Sequence, residues 1–332
     1  MLQKVIIVWF KRDLRVFDHE PLFTAANTST AVLPLFVVEP DYWQLPTSSR
    51  RHWCFVYDCL NELDASLVAL GQGLIIRVGP IKDVLCDLTK EYDIQAIYAH
   101  EETGGSWTYE RDQTVRDYCE SQSIEFRETP SNGVVRGLQN RDEWVGIRKA
   151  RMQKSRCPRP EKLTTLLTSR KDILPEKDDP LFGPPVPSVV KGQSGKTQKG
   201  GRKAAISLLE TFIKERSQYY IKNLASPLNA PDTSMRLSPH LAWGVLSVLE
   251  VETTIRNYLE TNGTRISSGE RRGCYAVSSR LAWRCHFIQK LEDKPDIESV
   301  AMHDFYDKIR EDKPNRDFLT AWKEGKTGFP II

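Results

Sequence analysis

No stretch of this 332-residue sequence is apolar over the length that a bilayer crossing needs, so no helical membrane span is expected. The seven cysteines, Cys54, Cys59, Cys86, Cys119, Cys157, Cys274 and Cys285, include no C-x-x-C pair, and their number is odd. A disulfide framework is therefore not expected, and scattered thiols suit a reducing compartment. The amino terminus lacks the charged flank and cleavage site of a secretory signal and runs at once into Val5-Ile6-Ile7-Val8. A cytoplasmic protein without a membrane partner or a metal follows as the expectation. Net charge is only +3, so any nucleic-acid site has to be a local patch rather than a global field.

Two nucleotide motifs are also missing. The first turn after a strand-like run, residues 11–18, contains no glycine, so the dinucleotide fingerprint is absent. Gly195-Lys196-Thr197 ends like a phosphate loop, but Val190 stands where the first glycine is required and no strand precedes it. That match reads as chance.

What is present divides the chain. With 40% hydrophobic residues, the length allows about two domains. Short apolar runs at 5–9, 32–38, 74–78, 94–99 and 124–127 read as strands buried on both faces. Between them, 53–70, 81–90 and 108–119 carry helical spacing, with Leu60, Leu63, Leu67 and Leu70 on one face. Alternation of this kind predicts an α/β fold over 1–130, a five-stranded parallel doubly wound sheet with ligands beyond the carboxyl ends of its strands. Residues 131–203 form a connecting segment. It is rich in proline, and 191–203 is basic and glycine-rich without an acid, which is linker composition. From 204 to 332 the pattern is helical, at 204–221, 239–245, 248–261, 270–291 and 315–323.

Two stretches of the helical part carry chemistry. Ser238-Pro239 reads as a helix start, a hydroxyl at the cap and a ring with preset φ after it. Such an end can hold an anion, and Thr233, Ser234 and Arg236 stand before it as further donors. Read alone, it is an ordinary capped helix. Arg280, Trp283, Arg284 and Phe287 recur at i, i+3, i+4 and i+7, so they share one face, while Val277, Leu281 and Ile288 form a second face for the core. Two arginines with two aromatics suit stacking on a base or a flavin ring, or equally a half-buried helix with solvated neighbours.

The motifs stand in a definite order. Val8-Trp9-Phe10-Lys11-Arg12-Asp13-Leu14-Arg15 with Asp18 comes first, then Gly200-Gly201-Arg202-Lys203-Ala204-Ala205 with Leu208, Leu209, Phe212, Arg216 and Tyr220. Ser234-Met235-Arg236-Leu237-Ser238-Pro239 leads into Leu241-Ala242-Trp243-Gly244-Val245-Leu246-Ser247, and Leu281-Ala282-Trp283-Arg284-Cys285-His286-Phe287 follows. In this order they resemble the cryptochrome/photolyase family over nearly the whole chain. The resemblance implies that the helical part belongs to a flavin-binding domain. It implies that Tyr220, Ser234, Met235, Arg236, Leu237, Ser238 and Arg284 contribute to the FAD site, and that Arg280 and Trp283 face a damaged base. Light-driven electron transfer from FAD to a pyrimidine dimer in DNA is the chemistry implied, with a folate or deazaflavin antenna. One rival is a blue-light photoreceptor of the same family without repair. Another is a non-catalytic chromophore-binding or nucleotide-binding module.

Three departures from the family pattern bear on this. Lesion-repairing members carry a glutamate three residues before the tryptophan, where this chain has Arg280, a donor without an acceptor. Met235 replaces the usual hydroxyl residue. Asp317-Phe318-Leu319 through Pro330-Ile331-Ile332 matches a motif that the family continues. The resemblance thus implies an amino-terminal portion with an incomplete flavin-binding domain. Weak FAD affinity and exposed apolar side chains over 239–246 and 277–291 are expected with it.

Overall fold

The structure, a computed structural model, describes residues 1–166, 174–177, 179–182, 198–306, 309 and 313–329. The Gly195-Lys196-Thr197 match, most of the basic linker and the last three residues lie outside the described residues.

Five strands form one parallel sheet: β1 (Gln3–Phe10), β2 (Ala31–Val38), β3 (Ile75–Val78), β4 (Tyr92–His100) and β5 (Glu125–Thr129), in the order β3-β2-β1-β4-β5. The expected runs and the observed strands coincide, apart from small shifts at their ends. In β1 and β2 the apolar runs are unbroken because both sheet faces are covered, whereas the edge strand β5, expected to be buried on both faces, exposes Glu125 and Arg127 because nothing among the described residues covers that side of the sheet edge. Along β1, Val5, Ile7 and Trp9 enter one core, and Ile6, Val8 and Phe10 enter the other.

Helices α1 (Glu20–Ala26), α2 (Pro40–Gln44) and α3 (Arg50–Val68) lie in sequence before β3, then α4 (Ile81–Glu91) and α5 (Ser106–Ser121) flank β4. Leu60, Leu63 and Leu67 of α3, with Leu70 just beyond, are buried on the Phe10 side. Ile81, Val84, Leu85 and Leu88 of α4 cover the Trp9 side. Burying these stripes is what seats the helices, at about 1.5–3 kcal/mol for each large side chain.

The helical part comprises α6 (Trp144–Gln153), α7 (Arg202–Thr211), a π-turn at Phe212–Arg216, α8 (Ser217–Asn223), α9 (Ala230–Thr233), α10 (Ser238–Ala242), α11 (Val248–Asn262), α12 (Ser268–Asp293) and α13 (Arg316–Lys323). A capping box starts α12: the Glu270 N–H donates to Ser267 Oγ at 3.2 Å and the Ser267 N–H donates to Glu270 Oε2 at 2.7 Å. Helix α8 crosses α12 at Gly273, where an added Cβ would stand 2.0 Å from the Ser217 carbonyl oxygen.

The expected exposure of 239–246 is overturned. Leu241, Val245 and Leu246 are buried, because they join Phe10 and Leu14 in one core shared by both parts of the chain. In α12, Val277 and Leu281 are buried too, while Trp283 and Phe287 are 52% and 59% exposed. Among the described residues no helix is long and apolar enough to cross a membrane.

Candidate functional site

Strand order turns around between β1 and β4, so a crevice opens beyond their carboxyl ends. Residues 11–18 and 100–104 leave the sheet there and meet α10 and α12 across a cavity of about 360 Å³. The two parts are latched by backbone contacts. The Leu14 N–H donates to the Trp243 carbonyl at 3.0 Å, and Arg15 Nη1 donates to the Gly244 carbonyl at 2.9 Å. Ser247 donates to the Asp18 carboxylate beside them.

Asp13, on the cavity wall, accepts its own loop's Lys11 N–H at 2.7 Å. Its other oxygen lies 2.8 Å from His100 Nδ1 and 2.9 Å from His19 Nε2. Burial alone would raise the Asp13 pKa, but the two imidazoles outweigh it and hold the carboxyl well below its ordinary value. Burial, then the neighbouring His19, pushes His100 down to about 3, so its ring stays neutral. Among the described residues this is the one His/Cys/Asp/Glu group close enough to hold a metal ion. The donor set does not suit one. His19 Nδ1 accepts the Leu22 N–H at 3.1 Å, so the neutral ring carries its proton on Nε2, where a metal would need the lone pair. The cluster braces the 11–18 loop through the His100–Asp13 hydrogen bond and the close approach of His19 to the same carboxylate oxygen. It leaves His100 Nε2 as that ring's free acceptor.

A denser ionic lattice lies on the other side of the crevice. Arg111 of α5 reaches Glu39 Oε2 at 3.2 Å, Glu102 Oε2 at 2.7 Å and Asp112 Oδ1 at 2.7 Å. Lys11 Nζ meets Asp112 Oδ2 at 2.7 Å, and both cations lie over the Trp9 ring. Burial pushes the Glu39 carboxyl up to about 7 against the pull of Arg111. Arg12 donates to Tyr42 Oη at 2.7 Å and stacks over Trp243, so only about 30 Å³ stays open beside them. Sequence reading missed this lattice. The available signal was Asp112, a carboxylate within the buried stripe Thr108, Asp112, Val115, Cys119.

The residues singled out in the sequence fall in three places. Tyr220 is buried with its ring 5.5 Å from that of Phe212, and Leu237 is buried in the same core. Met235 packs half-buried on that core. Arg216, whose guanidinium burial and the nearby Arg236 both push its pKa down, donates to the Ser234 carbonyl. Arg236 takes a left-handed φ of 57° and turns the chain into α10. The expected cap is corrected: Leu237 occupies the cap position, and Ser238 is the first helical residue, exposed, with no capping bond from its hydroxyl. The preceding left-handed residue brings the chain in one position early.

The shared face of α12 is corrected as well. Arg284 turns into the interdomain cavity, where Nη2 donates to the Leu241 carbonyl at 3.1 Å and the buried Nη1 has no partner. Arg280, Trp283 and Phe287 face outward, with the Arg280 guanidinium 4.5 Å from the Trp283 ring centre. Trp283 and Phe287 line a separate groove of about 660 Å³ against α6. Helix α12 thus parts two sites that its periodicity merges.

An α/β half carrying the switch-point cleft, joined to a helical half whose last part matches a flavin-binding domain, defines the class. Residues 6–139 match the family described as DNA photolyase, and residues 277–332 match the FAD binding domain of DNA photolyase. The chain belongs to the cryptochrome/photolyase family. It is 24% identical to the chloroplastic/mitochondrial cryptochrome DASH of Oryza sativa subsp. japonica, covering 99% of this chain and 61% of that protein. It is 27% identical to the deoxyribodipyrimidine photo-lyase of Streptomyces griseus, covering 99% and 69%. The crystal structure of a class III photolyase from Agrobacterium tumefaciens superposes with a TM-score of 0.81 at 20% identity, covering 100% of this chain and 67% of that one. The chain spans about three-fifths of the length of the first curated relatives it matches.

Proposed function

We propose that this chain is the FAD-carrying, light-driven electron-transfer part of a cryptochrome/photolyase flavoprotein, acting in the cytoplasm, with damaged DNA as its partner. Its units are 1–130, the connecting 131–203, and 204–332. The observation that carries the reading is Arg284, whose buried Nη1 lacks a partner inside the segment matched to the FAD-binding domain. An orphaned buried donor fits an anionic or carbonyl acceptor from a ligand. Arg236 and Ser238, both exposed at the turn into α10, would hold the diphosphate side. Tyr220, Met235 and Leu237 shape the core beneath that turn, and the Ser234 carbonyl keeps Arg216 in place. FAD, when bound, supplies the light-excitable electron donor.

Titrating FAD into the 332-residue chain is expected to quench flavin fluorescence saturably. Replacing Arg284 with Leu is expected to weaken that binding by roughly ten- to a hundredfold, the value of a charge-assisted hydrogen bond. Equal affinity in the two proteins would remove Arg284 from the site, and no quenching in either would sink the flavin reading.

A photoreceptor without repair is the second reading, and Arg280 favours it. Trp283 offers a stacking wall that tolerates any base, but a guanidinium gives no acceptor to pyrimidine N–H groups. An unmet donor costs about 1–3 kcal/mol, roughly ten- to a hundredfold in selectivity. Arg280→Glu is therefore expected to raise preference for dimer-containing over intact oligonucleotides in a competition assay. Strong dimer preference that the substitution leaves unchanged would return the protein to the repair class.

A further inference from the structure

We infer that Arg216 is a positioning residue for the FAD diphosphate, acting through the turn 233–237 that leads into α10, and that the π-turn before it is what places it there. The inference rests on the flavin reading and adds to it a side chain outside the expected FAD residues. Ala205 and Leu209 of α7 form a buried stripe that Phe212 continues. At about 3.6 residues per turn, an unbroken helix would bring residue 216 to the core next. The π-turn over Phe212–Arg216 inserts a residue, so Ser217 and Tyr220 of α8 are buried instead and Arg216 stands beside the stripe. Turns of this wider kind occur frequently at functional sites.

From that place one guanidinium ties the helical rod to the turn. Nη2 donates to the Leu208 carbonyl at 2.6 Å and to Thr211 Oγ1 at 3.1 Å, and Nη1 donates to the Ser234 carbonyl, 18 positions further on. Two residues later Arg236 takes its left-handed φ, and Gln198 donates to its carbonyl. The Arg236 side chain is exposed, with Nη1 donating to the Pro231 carbonyl at 3.3 Å. Burial, and next the Arg236 charge, push the Arg216 pKa down, so the two guanidiniums repel each other across this turn. Neither makes an ion pair among the described residues. An anion arriving here therefore meets two cations and has no carboxylate to displace. A rigid planar fork suits a clamp onto three oxygens at once, and the single ammonium of a lysine does not.

The test is fluorescence titration of the full 332-residue chain and its variants with FAD and with riboflavin, which lacks the diphosphate. Arg216→Met is expected to weaken FAD binding about ten- to a hundredfold, the value of a hydrogen bond to a charged group, and to leave riboflavin binding unchanged. Arg216→Lys keeps the charge without the fork and is expected to lose as much FAD affinity as Arg216→Met. Circular dichroism checks each fold. Should Arg216→Met unfold, Thr211→Val, which removes one of the three acceptors, decides the matter, with an expected FAD loss of about two- to tenfold and none for riboflavin. FAD affinity unchanged in the variants overturns the assignment and leaves the flavoprotein reading standing. Equal losses for FAD and riboflavin make Arg216 a prop of the fold and overturn it as well. A lysine variant that binds FAD like the parent shows that charge alone suffices, and the positioning role falls. Riboflavin binding too weak to titrate leaves that lysine comparison to decide. A parent chain that takes up no FAD removes the assignment together with the flavin reading.

Discussion

Replacing Gly244 with alanine is expected to destabilise the protein by more than about 3 kcal/mol. Gly244 has a φ of 60°, and a Cβ there would stand 2.1 Å from the Arg12 carbonyl oxygen and 2.6 Å from the Asp13 Cα. The left-handed backbone alone costs an L-residue about 1–2 kcal/mol. The clash adds to it, because both obstacles are backbone and cannot swing aside. Nor can the loop retreat cheaply. Asp13 is braced by His19 and His100, and Arg15 holds the Gly244 carbonyl. A loss of this size is a large share of the 5–15 kcal/mol that keeps a typical domain folded. Urea unfolding of the two proteins is the measurement, and a difference below about 1 kcal/mol would mean the junction of α10 with the 11–18 loop is soft. The same experiment reports on the cleft, because Gly244 lines it.

Arg111→Leu is expected to cost about 3–5 kcal/mol, the usual penalty for removing one partner of a buried ionic group. Three carboxylates, Glu39, Glu102 and Asp112, would lose their shared cation. The loss depends on pH in a definite direction. Glu39 already titrates near 7 when folded, against an ordinary 4.5, because burial raises it. Without Arg111 its folded value rises further. Between that value and about 4.5 the folded chain holds a proton that the unfolded chain has released, so stability grows as pH falls through this window. The gap between variant and parent is therefore expected to be wide at pH 8 and narrower at pH 6. A gap that stays constant, or widens on acidification, would show that the lattice does not depend on Arg111.

The sheet was legible in advance because its cause is local. The central strands β1 and β2 are buried on both faces, so Val5–Phe10 and Ala31–Val38 read as unbroken apolar runs wherever the rest of the chain goes. Helices α3, α4 and α12 were legible for a similar reason, since their stripes recur at helical spacing. Helix α6 was not. Only Trp144 and Met152 of its ten residues are buried, too few to make a pattern. The cap at Ser238 failed on a backbone angle, since nothing in the sequence forces a non-glycine such as Arg236 to φ 57°.

The sequence by itself thus determined the five strands, the turn to an all-helical second part, and the ordered motifs that mark the family. Periodicity and motif order are properties of the chain taken one segment at a time. Only the tertiary structure decided that Arg284 and Trp283, adjacent on one helix, serve different cavities. It also decided that Asp13, His19 and His100 meet at one point, and that Arg111 gathers three carboxylates. Those outcomes depend on which elements pack against a residue's side. Strand order β3-β2-β1-β4-β5 brings the ends of β1 and β4 together, and α10 and α12 close over them. Residues separated by 87 positions, such as Asp13 and His100, become hydrogen-bond partners through that crossing, and no spacing along the chain records it.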